Sequence, residues 1–444
     1  MHTVKIDFGK ITGRIKPMHA VNSPPTVPCD TDGLYAKIEQ ANIPYARLHD
    51  TGGYFGGARY VDVGNIFPDF AADETDPASY DFAFTDALLA AMAEIALRPF
   101  YRLGCTIENH HRIKAYRIYP PADPHKWARI CAHIILHYNE GWADGFRYGI
   151  EYWEIWNEPD NQPAPEDNPM WRGSQREFFE LYDIAAKYLK GRFPKLKIGG
   201  YASCGFYALS DVNYAQAANS SSRTGYFLAF FHNFFRYISE KNTPLDFFSW
   251  HSYAGLKENL IYAAYVREQL DRYGYAHAES IFNEWNPGRQ NRGKAIDASN
   301  IAAAMCAMQR TSIDMAMYYD AQVDSRYCGL FSADNRRVFK AYYAFKAFGA
   351  LYALGNEAYS AANSEDLYVC AASCTGRNAA LLVNASEESK EIVFDVPNSI
   401  IECCATDEEH EWEYIEINKD EAVAPPQDNR AVVPPHAVWL INFD

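Results

Sequence analysis

The sequence predicts an α/β fold: a (β/α)8 TIM barrel over residues 13–355, followed by a C-terminal β-sandwich over residues 356–444. Three observations lead there. Eight short apolar runs alternate with stretches of apolar residues at helical spacing, the order expected of a barrel. After Gly355 the apolar pattern changes to a period of two. The charge changes at the same place: residues 356–444 hold 18 Asp+Glu against 4 Lys+Arg, which leaves 39 against 37 of the chain's 57 acidic and 41 basic residues for 1–355.

The strand-like runs lie at 15–21, 45–50, 98–104, 152–158, 196–201, 245–253, 280–286 and 315–323. Between them Leu34, Ile38 and Ala41 share one helical face. So do Leu88, Met92 and Ile95, then Trp127, Ile130, Ile134 and Tyr138, then Phe178, Leu181, Ala185 and Leu189. Segments 226–239, 260–270, 301–308 and 338–354 supply the remaining helices. The Gly-rich link 52–72 is longer than an ordinary βα connection and follows the second strand, so it is expected to line the barrel mouth. Runs 367–372, 379–385, 391–396, 412–417 and 438–443 alternate as sandwich strands. Val4, Ile6 and Phe8 alternate too, so segment 1–12 is expected to complete that sandwich.

Composition excludes several classes. With 48% hydrophobic and 22% charged residues in 444, the chain is neither fibrous nor disordered. A net charge of −16 argues against a nucleic-acid partner. The acidic C-terminal segment reads as a solvated face. The longest apolar run of note, Ile301–Met308, is too short to span a membrane. Met1–Lys16 lacks an apolar signal core, and ten cysteines without a zinc-type CxxC spacing read as reduced thiols. A cytoplasmic location is therefore expected, with no membrane partner and no metal; His110-His111 lacks a third ligand. No GxGxxG or GxxxxGK[ST] motif is present, so no cofactor is expected. The oligomeric state stays open, a homo-oligomer included.

The chemistry is concentrated in two motifs. Trp153-Glu154-Ile155-Trp156-Asn157-Glu158-Pro159-Asp160 ends the fourth strand. A period of two turns Tyr152, Glu154, Trp156 and Glu158 inward, and Pro159 stops the strand just past Glu158. Phe282-Asn283-Glu284-Trp285-Asn286-Pro287 repeats the design on the seventh strand, with Phe282, Glu284 and Asn286 inward. A lone strand-end glutamate is usually a salt-bridged surface acid. Two matched copies on opposite sides of one mouth point instead to glycoside cleavage, in which one carboxyl protonates the leaving oxygen and the other attacks the anomeric carbon.

The chain resembles the clan of retaining glycosidases that carry their two glutamates on strands four and seven, and within it glycoside hydrolase family 39, the family of β-xylosidases and α-L-iduronidases. WNEP is the clan's signature. Similar stretches run through YARLHD (45–50), NIFPDF (65–70), LRPFYRLG (97–104), LKIGG (196–200), DFFSWHSY (246–253), FNEWN (282–286) and KAYYAFKAFGAL (340–351), covering about residues 2–355.

The resemblance implies that Glu158 is the acid/base and Glu284 the nucleophile. Asn157 would bond the sugar 2-hydroxyl, Arg47 would hold Glu284 ionised, and Trp156 would support the site. His251 and Tyr253 match the clan's His-x-Tyr, with the tyrosine donating to the nucleophile and the histidine near the acid/base; a satisfied core pair is the competing reading. His49 and Asp50 are candidate sugar ligands, although a polar strand-end turn explains Asp50 equally well. The chain departs from the clan at strand eight, where Met317-Tyr318-Tyr319-Asp320 stands in place of a tryptophan, so Tyr319 is the candidate floor of the sugar site. Arg289, Arg292 and Lys294 form either a solvated basic loop or a contact for an acidic sugar. The reading is therefore a retaining hydrolase of short oligosaccharides or glycosides, β-xylosidase-like. The alternatives are a uronic-acid or other pentose or hexose glycosidase, and a sugar-binding barrel without turnover.

Overall fold

The computed structural model describes residues 1–25, 33–50, 61–107, 117–210, 221–323, 327–332, 337–417 and 430–444. Cys29, the first part of the link at 52–72, and the His110-His111 pair lie outside them.

Eight parallel strands close a barrel in chain order: β2 (Ala20–Asn22), β3 (Tyr45–Leu48), β4 (Arg98–Leu103), β5 (Tyr152–Ile155), β6 (Lys197–Ser203), β7 (Phe247–Ser252), β8 (Glu279–Trp285) and β9 (Met315–Tyr318). β9 pairs with β2 to complete the ring. Helices α1 (Leu34–Gln40), α2 (Ala83–Glu94), α3 (Pro124–Asn139), α4 (Gln175–Arg192), α5 (Ser221–Lys241), α6 (Leu256–Arg272), α7 (Ala295–Gln309) and α8 (Lys340–Leu354) alternate with the strands. Local chemistry starts several of them. Asp123 accepts from the backbone N–H groups of His125 and Lys126 ahead of Pro124, and Ser174 and Glu177 form a reciprocal capping box on α4.

The barrel interior is layered. Ala20, Tyr45, Phe100, Tyr152, Phe247, Ile281, Met315 and Met317 form an apolar floor. Outward-facing Trp153, Ile155, Trp250 and Phe282 join the larger core between barrel and helices. Gly199 allows β6 to lie close to β7, since a Cβ there would come within 2.2 Å of the Phe247 carbonyl oxygen.

Most strands end earlier than the sequence pattern suggests. The runs 45–50, 152–158 and 315–323 leave the ladder after Leu48, Ile155 and Tyr318, and the first strand is only Ala20–Asn22. The residues past the first two ends adopt left-handed conformations, at Asp50 (φ 54°), Trp156 (φ 71°) and Glu158 (φ 44°). Such conformations cost on the order of 1–3 kcal/mol each and cluster where function needs them.

The second unit is one nine-stranded sheet, ordered β15-β14-β17-β12-β11-β10-β1-β13-β16. Its strands are β1 (His2–Arg14), β10 (Asn356–Ala362), β11 (Leu367–Cys374), β12 (Arg377–Asn384), β13 (Lys390–Asp395), β14 (Ile400–Thr406), β15 (Glu411–Ile415), β16 (Arg430–Val433) and β17 (Val438–Phe443). The sheet curls into a sandwich-like shape. Phe8 on β1 and Phe443 on β17, four places apart in the order, bring their rings to 5.1 Å inside the curl. The N-terminal strand belongs to it, antiparallel to β10 and parallel to β13. The outer face, through Cys370, Ala372, Leu381, Val383 and Leu440, joins the barrel's core, and Arg310 at the end of α7 donates to the carbonyls of Ser360 and Val369 at 2.7 Å each.

Candidate active site

The two motifs reach the mouth by different backbone routes. After β5, Trp156 does not continue the inward parity. Its left-handed backbone sends the indole outward, where Nε1 donates to the Met170 carbonyl at 2.9 Å and the ring packs on Trp171 at 5.1 Å. Trp156 therefore stands outside the constellation, against a cavity of about 240 Å³ that Phe67, Phe70 and Trp127 also line. The same backbone turn delivers Asn157 and Glu158 to the interior in succession.

On β8 a bulge does this work. Trp250 pairs with Phe282 but His251 with Glu284, and the register against β9 slips at the same place, so β8 carries one extra residue. Phe282 faces outward, stacked on Trp250 at 4.1 Å, which corrects its expected inward position. Asn283 and Glu284 then both turn inward.

Arg47, fully buried on β3, ties the two motifs together. Its Nε donates to Glu154 Oε2 at 2.7 Å, Nη1 to Glu284 Oε1 at 2.8 Å, and Nη2 to Asn157 Oδ1 at 2.5 Å. Burial works against its charge, but Glu154 and Glu284 more than offset that and hold the guanidinium above its ordinary value. Asn283 Nδ2 donates to the other oxygen of Glu154 at 2.6 Å. This polar layer, resting on the apolar floor, fixes the roots of both catalytic candidates.

Above it, Glu158 and Glu284 confront each other across His251. One oxygen of each carboxylate and the imidazole nitrogen lie within 4.8 Å of one another. His251 Nδ1 stands 2.9 Å from Glu158 Oε1 and 3.4 Å from Glu284 Oε2. Tyr253 Oη donates to Glu284 Oε2 at 2.7 Å. Burial, then the charge of Glu284, pushes that phenol far up, so it remains a donor. Glu158 Oε2 accepts from Asn161 Nδ2 at 2.7 Å. Burial raises the Glu158 carboxyl, but the hydrogen bond and charge of His251, with the Asn161 amide, outweigh it, and the group sits below the ordinary glutamate value. Asp160, buried on Ser203 Oγ and the Cys204 N–H, is pushed up to about 7 by burial and by the charge of Glu158.

The rim holds the remaining candidates. His49 Nδ1 accepts from Arg102 Nε at 3.2 Å, and burial with the charges of Arg47 and Arg102 keeps the ring well below its usual value and neutral. Its proton therefore sits on Nε2, 3.3 Å from Asp50 Oδ1. Asp50 Oδ2 accepts from Tyr319 Oη at 2.8 Å, and burial pushes this carboxyl up to about 7. Tyr319 packs edge-on to Tyr253 and Tyr327, with ring separations of 6.5 and 5.5 Å. Of the basic loop, Arg292 donates to the Tyr327 carbonyl, Lys294 caps α7, and Arg289 lies 5.2 Å over the Tyr327 ring.

The sequence pattern turned Glu154 inward without giving it a role, and passed over Asn283, Asn161, Asp160 and Arg223. One signal was available: Asn283-Glu284 repeats Asn157-Glu158, so an inward Asn283 could have been expected. Among the described residues, the metal-compatible group is Glu158, His251 and Glu284, and the Arg47 guanidinium at 2.8 Å already opposes a cation beside Glu284.

The family profile Glycosyl hydrolases family 39 matches residues 59–286, just over half of the chain. The chain belongs to glycoside hydrolase family 39. Among relatives, a β-xylosidase of Geobacillus stearothermophilus is 25% identical over 251 residues, covering 54% of this chain and 42% of that protein. A β-xylosidase of Caldicellulosiruptor saccharolyticus is 27% identical over 136 residues, covering 28% and 26%. The chain thus spans less than half the length of these relatives. Two solved structures share the fold across whole chains. A glucosidase from Croceicoccus marinus has a TM-score of 0.78 at 20% identity, covering 100% of this chain and 99% of that one. A family 39 β-xylosidase from Caulobacter crescentus has a TM-score of 0.71 at 17% identity, covering 100% of both.

Proposed function

We propose that this family 39 chain is a retaining glycoside hydrolase that removes terminal sugars from short oligosaccharides, with β-xylosides as its substrates. The observation that carries the reading is that one carboxylate oxygen of Glu158 and one of Glu284 lie within 4.8 Å of each other, on the short side of the range that separates the two mechanisms. Retaining enzymes hold their carboxyls about 5–5.5 Å apart, whereas inverting ones leave about 6.5–9.5 Å for a water.

Glu284 is the nucleophile. Arg47 Nη1 takes one of its oxygens and Tyr253 Oη the other, so the carboxylate is oriented by two donors, one of them charged. Glu158 is the acid and then the base. It lies against His251 Nδ1: a proton on its carboxyl serves the leaving oxygen, and the carboxylate then takes a proton from the incoming water. Asn157, its Oδ1 fixed on Arg47, presents its amide N–H groups for the sugar 2-hydroxyl. His49, Asp50 and Tyr319 form the sugar-facing rim, with the His49 Nε2–H as donor.

Residues 15–355 are the catalytic unit and 356–444 the accessory one, completed by β1 through Arg14 and not by 1–12 alone. The nine described cysteines are free, which suits a reducing cytoplasmic setting. The xylose assignment rests on the β-xylosidases among the relatives. A panel of aryl xylosides, glucosides, arabinosides and uronides tests it.

The mechanism has its own test. An activated 2-fluoro-xyloside should add the mass of one fluoroglycosyl group, mapped to the peptide holding Glu284, and the first-formed product should keep the substrate's anomeric configuration. An inverted product sinks the reading, and absence of any turnover across the panel favours a binding barrel.

A further inference from the structure

We infer that Asn161 and Arg223 are positioning residues for Glu158: Arg223 fixes the orientation of the Asn161 amide, and that amide holds one oxygen of the carboxyl so that the group can change from acid to base. This inference rests on the acid/base role of Glu158.

The geometry is directional. Arg223, in the first turn of α5, donates from Nε to the Asn161 backbone carbonyl at 2.7 Å and from Nη2 to Asn161 Oδ1 at 3.1 Å. A guanidinium has no acceptor, so the amide oxygen must face Arg223 and the amide nitrogen must face away. That nitrogen lies 2.7 Å from Glu158 Oε2. The orientation is therefore dictated by chemistry.

The consequence falls on Glu158 alone. His251 Nδ1 holds Oε1 at 2.9 Å, so each carboxyl oxygen has its own partner, one from β7 and one from a loop residue latched to α5. A donor on each oxygen favours the ionised form and locks the carboxyl plane. Both properties serve a group that must give up a proton and then act as base in one orientation. The other groups around Glu158 have different tasks. Glu284, from β8, is the opposing carboxylate, and Tyr253 donates to it. Asp160, in the same loop, is buried on Ser203 and Cys204. Tyr207 and Cys204, near the end of β6, are buried groups whose burial keeps their protons on. Arg223 is the cation on the Asn161 side.

The test reads the ionisation of Glu158 directly, independent of turnover. In protein labelled with carbon-13 at glutamate Cδ, the Glu158 resonance is identified by its loss in Glu158→Gln and titrated by NMR. Asn161→Ala should move its midpoint up by about 0.5–1 unit. Asn161→Asp, nearly isosteric and still bonded to Arg223, should move it further, because a donor becomes a like charge. Arg223→Met should move it up in the wild-type background and by less when Asn161 is already alanine. In turnover, Asn161→Ala should raise the basic limb of kcat/KM. It should cost about tenfold on alkyl glycosides and under about threefold on dinitrophenyl glycosides.

An unmoved Glu158 titration in both Asn161 variants overturns the inference, as do equal losses on all leaving groups with an unchanged pH profile. Equal shifts from Arg223→Met in both backgrounds overturn the latch. A shifted titration in a chain that hydrolyses no glycoside would instead refute the proposed function and leave the positioning intact.

Discussion

The Asn157-Glu158 and Asn283-Glu284 pairs are spelled alike and built differently. After β5, a left-handed residue at Trp156 carries the chain out of its ladder, and Glu158 itself is left-handed. On β8 a bulge inserts one residue without ending the strand. Glu284 thus stays on rigid sheet, between a buried guanidinium and a phenol. Glu158 stands on a turn, held by an imidazole and an amide, with a second buried carboxyl two residues on. A nucleophile needs a fixed line of attack and a lasting charge, whereas an acid/base must be charged and uncharged in turn. The backbone difference and the difference in partners both support the proposed roles, Glu284 as nucleophile and Glu158 as acid/base.

The comparison can be broken most sharply at the nucleophile. Glu284→Ala should lower turnover by about 10⁴-fold or more on every substrate, since removing an attacking atom leaves only binding and positioning. No fluoroglycosyl adduct should form; an adduct in this variant would reassign the role. Glu158→Ala should cost about 10²–10⁴-fold on poor leaving groups and much less on dinitrophenyl glycosides, with azide restoring turnover as a glycosyl azide of retained configuration. Uniform loss across leaving groups would erase the distinction between the two motifs.

Arg47 comes next, because it bridges both. Arg47→Lys keeps the charge but cannot reach Glu154, Asn157 and Glu284 from one planar fork. At least one of Glu154 and Glu284 would lose its guanidinium contact and keep only a neutral donor, a loss smaller than the ~3–5 kcal/mol of a buried pair broken outright. Activity and melting temperature should fall together. A lysine variant with unchanged kcat/KM and stability would show that the two motifs do not depend on their shared anchor.

What the sequence made legible follows from where each fact is encoded. The alternation of apolar runs and helical faces spans hundreds of residues, so the barrel and the later sheet were readable. That Glu158 and Glu284 would meet at one mouth was readable because proline, asparagine and glutamate recur together at strand ends. Side-chain direction there was not. A period of two holds only while the ladder holds, and the ladder fails at Trp156 and at Asn283, where the site needs consecutive residues on one face. Trp156 and Phe282 were accordingly assigned to the interior and found outside it. Tyr45, Arg47 and His49 share the interior face because β3 is regular through Leu48. Partners far apart in sequence, such as Asn161 with Arg223, leave no local pattern at all.

The smallest effect lies where the motifs differ by a single atom type. Two residues beyond Glu158 stands Asp160; two beyond Glu284 stands Asn286, whose amide donates to the Tyr319 carbonyl at 2.7 Å. Asp160 is buried and its carboxyl is pushed up to about 7 from an ordinary value of 3.8. Below about pH 4 it is protonated in both folded and unfolded chains. Between there and pH 7 the unfolded chain has lost the proton and the folded one keeps it, so folding binds a proton and stability falls as pH rises, by about 1.4 kcal/mol per unit at most. Asp160→Asn makes the first motif resemble the second and removes that proton. Melting temperatures of variant and wild type should therefore converge toward pH 4 and separate toward pH 8, with the asparagine variant the more stable at the upper end. Because the charge of Glu158 contributes to the shift, the separation should shrink in a Glu158→Gln background. Parallel melting curves across that range would mean that Asp160 titrates as an ordinary carboxyl, and that the acid/base side of the mouth is no more electrostatically strained than the nucleophile side.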